Sequence, residues 1–319
     1  MVQVLVTGAE GFVGGHLVPL LLACERRVSG TALDERDVER IERFDGARGV
    51  ACDITEREGI AGLVERLLPR EIYHLAAQSS SAFSFSDPYG TIADNVIGCL
   101  NVLDAARQAA QTARVLIVST GEIYGVGSEN PLTEEAPVGP MTPYAASKVS
   151  MELVARQYWK SLGLPVVIVR PFNHTGPGQS PRFALSSFAK QVAEAELGLS
   201  SPLIEVGNLD VRRDFLDVRD VVRGYLLALT EGAPGEIYNI SSGIASSLRD
   251  VLDLLLESAN VSIKVEIGND RLRKVDIPVL CGDSSKFRAR TGWSPRYELR
   301  QTLHDLLDYW RHELQDSGR

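Results

Sequence analysis

The run Thr7-Gly8-Ala9-Glu10-Gly11-Phe12-Val13-Gly14 constrains this 319-residue chain more than any other segment. It spaces three glycines as G-x-x-G-x-x-G, directly after an apolar stretch over 2–7 and directly before a helical pattern over 12–24. Glycines there permit a tight turn and let backbone N–H groups approach a diphosphate at the positive end of the helix. A strand, a glycine turn and a helix at the start of the chain predict a dinucleotide-binding unit, with Gly8, Gly11, Phe12, Val13 and Gly14 as its cofactor loop.

The rest of the first half repeats the same rhythm. Apolar runs at 27–31, 49–52, 71–75, 115–119 and 166–169 predict strands, and amphipathic patterns over 56–68, 89–110 and 144–162 predict helices. Strand and helix in alternation imply right-handed crossovers and a parallel sheet covered on both faces. After Arg170 the rhythm breaks. PFNHTGPGQSP holds three prolines and two glycines in eleven residues, a long loop of the kind that carries function. Helical patterns over 183–197, 218–229, 248–258 and 299–313, with a short strand at 236–240, complete a smaller lobe. The expected fold is α/β, a Rossmann-type doubly wound parallel sheet with a smaller C-terminal α/β lobe and a ligand crevice between them. The division falls at residues 1–170 and 171–319, with some of the later chain returning to the first unit.

Charge and cysteine usage narrow the function classes. With 33 basic and 42 acidic residues the net charge is −9, which disfavours nucleic-acid and membrane partners. Cys24, Cys52, Cys99 and Cys281 lie far apart, as suits a reduced cytoplasmic protein better than a disulfide framework or a metal site. No apolar stretch reaches the roughly 18 residues of a membrane span, and the N-terminus runs straight into the glycine loop.

The end of the second strand should read the adenosine ribose. Asp34 would accept from both ribose hydroxyls and repel a 2′-phosphate, whereas Arg36 would serve that phosphate; an exposed loop Asp is the alternative. The balance leans to NAD(H) over NADP(H). Asp53 and Ile54, after the third strand, stand where adenine would lie, with a helix N-cap contact competing for Asp53.

Tyr144 and Lys148 fall at i and i+4, on one face of a helix. A neighbouring ammonium favours the phenolate and should bring the phenol toward the working range. Ser119-Thr120, two dozen residues earlier, would add a hydroxyl beside the reacting oxygen.

TGAEGFVGG, LAAQSS, VSTGEIYG and YAASK occur in the order and spacing of extended short-chain dehydrogenases/reductases, the group that acts on nucleotide sugars, and the resemblance runs from residue 2 to the final helix. It implies that Thr120, Tyr144 and Lys148 are catalytic, that Gly8, Gly11 and Gly14 hold the diphosphate, and that Leu75, Ala76 and Ala77 pass beside the cofactor, with Gln78 and Ser79 on the substrate side. It also implies a homodimer through the helices at 89–110 and 144–162. Val96, Leu100, Leu103 and Arg107 follow helical spacing there, a stripe that faces either a partner or the sheet.

The second half resembles the GDP-4-dehydro-6-deoxy-D-mannose reductases, through RPFNHTGPGQSPRFALSSFAKQV, VGNLDVRRDFLDVRDVV, YNISSG and RKVDIPVLCGDSSKFRARTGW, with GDP-mannose 4,6-dehydratases second. The resemblance implies reduction of the 4-keto sugar to GDP-D-rhamnose, with Arg213 and Arg273 on the diphosphate, Asn173 near sugar and nicotinamide, and Arg182 and Lys190 in the substrate loop and following helix. His174 reads as structural. Glu122 stands where 4,6-dehydratases carry a base and keeps dehydration open, although TGPGQSP and Gly121 depart from the dehydratase form. A 4-epimerase would use the same Thr/Tyr/Lys set. A non-enzymatic relative would usually have lost the tyrosine or the lysine.

Overall fold

The computed structural model describes residues 1–126, 131–268 and 276–317. In chain order the strands are β1 (Gln3–Thr7), β2 (Arg27–Ala32), β3 (Arg48–Ala51), β4 (Glu71–His74), β5 (Arg114–Val118), β6 (Val166–Pro171), β7 (Asn173–Thr175), β8 (Leu203–Val206), β9 (Arg212–Asp217), β10 (Ile237–Ile240), β11 (Ala245–Ser247), β12 (Lys264–Ile267) and β13 (Val279–Leu280). The helices are α1 (Phe12–Ala23), α2 (Glu35–Glu42), α3 (Arg57–Leu67), α4 (Ser81–Ser84), α5 (Pro88–Ile92), α6 (Gly98–Ala109), α7 (Pro143–Leu162), α8 (Ala184–Glu196), α9 (Val218–Glu231), α10 (Leu248–Leu256), α11 (Ser285–Thr291) and α12 (Leu299–Ser317). A π turn, Ala93–Ile97, joins α5 to α6.

Seven parallel strands form the main sheet in the order β10-β6-β5-β4-β1-β2-β3. Side chains alternate across β1, so Val4 and Val6 enter one core layer and Leu5 the other. On the Val4 face α1 and α9 contribute Leu17, Leu21, Val221 and Tyr225; on the opposite face α3, α6 and α7 contribute Ile60, Leu103 and Met151. The strand order reverses between β1 and β4, which opens a crevice at their carboxyl ends where the glycine turn lies.

The chain after Arg170 divides its work. β10 returns to extend the main sheet beside β6. The smaller lobe sets β11-β9-β13, with β7 also on β9, next to the pair β12-β8, over a core of α8, α10 and α12. Among the described residues, no helix is long and apolar enough to cross a membrane and no group of three His, Cys, Asp or Glu is placed to hold a metal.

The short strands β7, β8, β9, β11, β12 and β13 and the helices α2, α4 and α11 were not read individually from the sequence, and two departures from that reading have a plain physical cause. α2 went unread because ERDVERIE offers just Val38 and Ile41 as apolar residues, and Ile41 alone is buried; the helix is set by its cap, Asp34, which accepts from the N–H groups of Arg36 and Asp37. The pattern over 89–110 is interrupted by the π turn, which turns successive residues to new faces. Within α6 itself the expected stripe divides, with Leu103 in the sheet-facing core and Leu100, three positions earlier, exposed.

The returning chain is anchored by Trp293, 2% exposed, whose Nε1 donates to the Asp220 carbonyl at 3.1 Å while its ring meets Phe287. Trp293→Ala is expected to lower unfolding free energy by about 3–5 kcal/mol, read by denaturant titration.

Candidate active site

The glycine turn is shaped by how closely it passes β4. Gly8 has φ +67, and a Cβ there would stand 2.8 Å from the Ala76 backbone; one on Gly14 would overlap the Ala9 carbonyl. Gly11 begins α1 with no side-chain cap and no acidic residue in the first turn, which leaves the positive helix end open to an anion. Thr7 Oγ1 accepts from the Ala76 N–H at 3.2 Å and so ties the 75–77 segment to the turn. A cradle that any Cβ would fill, facing an uncapped helix start, fits the diphosphate of a dinucleotide.

The ribose and adenine positions are more occupied than expected. Asp34 caps α2 and also pairs with Arg36 at 2.9 Å, and that pairing holds its carboxyl below the usual range. Asp53 caps no helix, since Glu56 precedes α3; its Oδ1 instead accepts from Thr55 N–H and Oγ1 at 2.8 and 2.7 Å. Ile54 is buried against Gly98.

α7 starts where Thr142 accepts from the Ala145 N–H and Pro143 takes the first position, which puts Tyr144 in the first turn. Tyr144, Lys148 and Thr120 are all buried together at the ends of β5 and α7. Lys148 Nζ donates to the Val118 carbonyl at 3.0 Å and lies 5.8 Å over the Tyr144 ring. Burial lowers the lysine to about 8. The phenol goes the other way from the sequence expectation. Burial first, then the Glu122 carboxylate, push Tyr144 above its usual value, while a hydrogen bond with Thr120 opposes them. The ammonium sits over the ring rather than at the hydroxyl, so it does not offset the loss of water.

Beside this group opens a cleft of about 530 Å³. Glu122, Ser81, Thr142 and Asn173 line its near end, and Ser81 Oγ donates to Glu122 at 2.5 Å. Asn173 Oδ1 is buried with no partner among the described residues, an acceptor left for a ligand. Arg213 also lines the cleft, 8% exposed, with its guanidinium donating to the Arg212 and Ile277 carbonyls at 2.9 and 2.5 Å and to Asp276 at 3.1 Å. Arg182 is exposed at the cleft edge.

Three expected substrate contacts are not brought in. Gln78 turns its amide inward, donating to the Ser80 carbonyl and Thr91 hydroxyl and accepting from the Ser80 N–H, and Ser79 is exposed. Lys190 pairs with Glu194 at 3.3 Å and covers the Trp310 ring on α12 instead of lining the cleft. Arg273 lies outside the described residues. His174, read as structural, is half-buried and lines the cleft, with Nδ1 on the Phe172 carbonyl and its ring stacked on Phe12.

Sequence reasoning missed Asn95, inside the π turn. It accepts from Gln78 N–H and donates to the Gln78 carbonyl and Ser147 Oγ, so it joins the 75–78 segment to α7. An asparagine within an apolar helical run was the available signal. Asp276, which holds Arg213, lay in the quoted VDIP segment and was passed over because pairing is a tertiary property.

A family model described as GDP-mannose 4,6 dehydratase matches residues 5–306. GDP-6-deoxy-D-mannose reductase of Pseudomonas aeruginosa is 33% identical over 317 residues, 99% of each chain. The solved structure of RMD from Pseudomonas aeruginosa complexed with NADPH superposes with a TM-score of 0.87 at 32% identity, covering 98% of this chain and 100% of that one. The UDP-glucose 4-epimerase of Thermus thermophilus, in complex with NAD, superposes at 0.86 and 30% identity, covering 97% and 99%.

Lys148 makes stability depend on pH. Its folded value, about 8, lies below the ordinary 10.5, so between them the unfolded chain binds the proton the native chain has released. Stability therefore rises with pH through that window, and below it the native state bears the cost of a buried ammonium, on the order of 3 kcal/mol. Lys148→Met is expected to be more stable than the parent at pH about 7, with the difference shrinking by about 2 kcal/mol at pH about 10 in denaturant titrations.

Proposed function

The chain belongs to the extended short-chain dehydrogenase/reductase family of the NAD-dependent epimerase/dehydratase type, and within it we propose a nucleotide-sugar reductase that converts GDP-4-dehydro-6-deoxy-D-mannose to GDP-D-rhamnose. The observation that carries the reading is the buried group of Tyr144, Thr120 and Lys148, with Lys148 held by the Val118 carbonyl and lying over the Tyr144 ring. A phenol and a hydroxyl side by side offer two hydrogen-bond donors to an oxygen that becomes an alkoxide. End-to-end similarity to a GDP-6-deoxy-D-mannose reductase supports the substrate class.

A nicotinamide bound by the glycine turn would supply the hydride for carbon 4. Tyr144 donates its proton to the oxygen that becomes an alkoxide, and Thr120 adds a second donor to the same oxygen. Lys148, fixed by the Val118 carbonyl, holds the cofactor ribose and the local positive charge. Gly8, Gly11 and Gly14 take the cofactor diphosphate. Arg213, held by Asp276, meets the diphosphate of the sugar nucleotide, for which a guanidinium fork is suited. Residues 1–170 would thus serve mainly the cofactor and 171–319 mainly the sugar nucleotide.

NAD(H) is the proposed cofactor, since Asp34 disfavours a 2′-phosphate and already engages Arg36, the cation that would answer one. The proposed homodimer is supported by Leu100 and Leu153, exposed on the packed helices α6 and α7. A 4,6-dehydratase is the second reading, favoured by Glu122, whose carboxylate lines the cleft beside Tyr144.

The deciding experiment mixes GDP-4-dehydro-6-deoxy-D-mannose with NADH or NADPH and follows the reduced nicotinamide, while GDP-mannose with oxidised cofactor is examined for a 4-keto product. Stoichiometric oxidation in the first tube and silence in the second are expected, with Tyr144→Phe inactive yet still binding cofactor. A 4-keto product in the second tube would make Glu122 a working base; silence in both would direct attention to 4-epimerisation. Arg213→Ala is expected to raise KM for the sugar nucleotide about tenfold or more, as loss of a charge-assisted contact does, in initial-rate assays.

A further inference from the structure

The residue four beyond Lys148 continues the same face of α7. Tyr144, Lys148 and Glu152 fall at i, i+4 and i+8, and all three are buried. Glu152 does not reach the cleft. Its two oxygens accept from Arg170 Nε at 2.9 Å and Nη2 at 2.7 Å, a two-pronged pair whose side chains are 5% (Arg170) and 6% (Glu152) exposed. The third nitrogen of the same guanidinium turns elsewhere. Arg170 Nη1 donates to the Tyr124 hydroxyl at 2.9 Å and to the Glu134 carbonyl at 3.1 Å, and Arg170 lies 5.1 Å from the Tyr124 ring centroid.

Tyr124 closes the turn Gly121–Tyr124, which Thr120 caps and which carries Glu122. The Tyr124 hydroxyl donates its own proton to Asn239 Oδ1 at 2.7 Å, on β10. One arginine on β6 thus grips the helix bearing Tyr144 and Lys148 with one edge, and the turn bearing Thr120 and Glu122 with the other. We propose that Arg170 is a positioning residue, which sets the separation of Thr120 from Tyr144 by clamping their two supporting segments together through Glu152 and Tyr124.

A buried ion pair by itself is weak evidence for stability, because desolvation offsets much of the attraction. Geometry distinguishes this one. A guanidinium is planar and rigid, so fixing its fork on Glu152 also fixes the direction of the remaining N–H toward Tyr124. Small displacements at a reacting pair cost rate rather than affinity, and the clamp acts on the two donors, not on the cleft walls that bind the sugar nucleotide. The inference rests on the catalytic roles proposed above for Thr120 and Tyr144.

Removing Arg170 would strand a buried carboxylate and endanger the fold, so the test uses Tyr124→Phe, which deletes one hydroxyl. Tyr238→Phe is the matched control: Tyr238 is also buried, and its hydroxyl accepts from the Ala233 N–H far from the cleft. With GDP-4-dehydro-6-deoxy-D-mannose and NADH or NADPH, Tyr124→Phe is expected to lose about tenfold in kcat with KM within about twofold, and Tyr238→Phe to keep kcat. Unchanged kcat in Tyr124→Phe, or equal losses in both variants, would overturn the proposal. Deuterium exchange reads the clamp without turnover. Tyr124→Phe should speed exchange in the peptides holding residues 120–124 and 143–152, and Tyr238→Phe in neither. If the parent enzyme is silent toward this substrate, the reductase reading fails while exchange still judges the clamp; protection unchanged in Tyr124→Phe overturns it.

Discussion

The architecture depends on how near the first turn of backbone comes to the fourth strand. Gly8 passes Ala76 so closely that a methyl group would stand 2.8 Å from its backbone. That approach brings the start of α1 to the point where the sheet order reverses, and the helix begins there with no side chain across its end. A side chain at Gly8 or Gly14 would lift the helix and close the gap an anion needs. The same contact line runs on through Thr7, Ala76 and Gln78 to Asn95 and Ser147, so the cofactor turn and α7 are held by one chain of hydrogen bonds.

Loss of water governs the chemistry of the site. Tyr144 and Lys148 share a dry pocket, and dryness moves each toward its neutral form: the phenol keeps its proton more firmly and the ammonium gives its own up more readily. Farther along the helix the same dryness has a different outcome, because Glu152 and Arg170 answer each other's charge at close range.

The cofactor turn, the seven sheet strands and the long helices were legible because their signals are local. A period of 2 or 3.6 and glycines at fixed spacing each act within a few residues. α2 was not legible, since it is held by a cap and one buried isoleucine. Gln78 and Lys190 were read as ligand contacts because their place in a motif was visible but their direction was not: one turns back onto its own loop, the other onto Trp310 on the last helix of the chain.

The α/β class, the order of strand, turn and helix, and the residue types at the Thr120–Tyr144–Lys148 site follow from the amino-acid order alone, because hydrophobic period and glycine spacing are properties of neighbours. Which charges meet was settled only by folding. Asp34 with Arg36, Arg213 with Asp276 and Arg170 with Glu152 and Tyr124 are choices made by side chains that the packed chain brings together. Folding also settled the direction in which Tyr144 is shifted, since that direction is set by the balance of desolvation against nearby charge, and neither can be read until the chain has excluded water from the site.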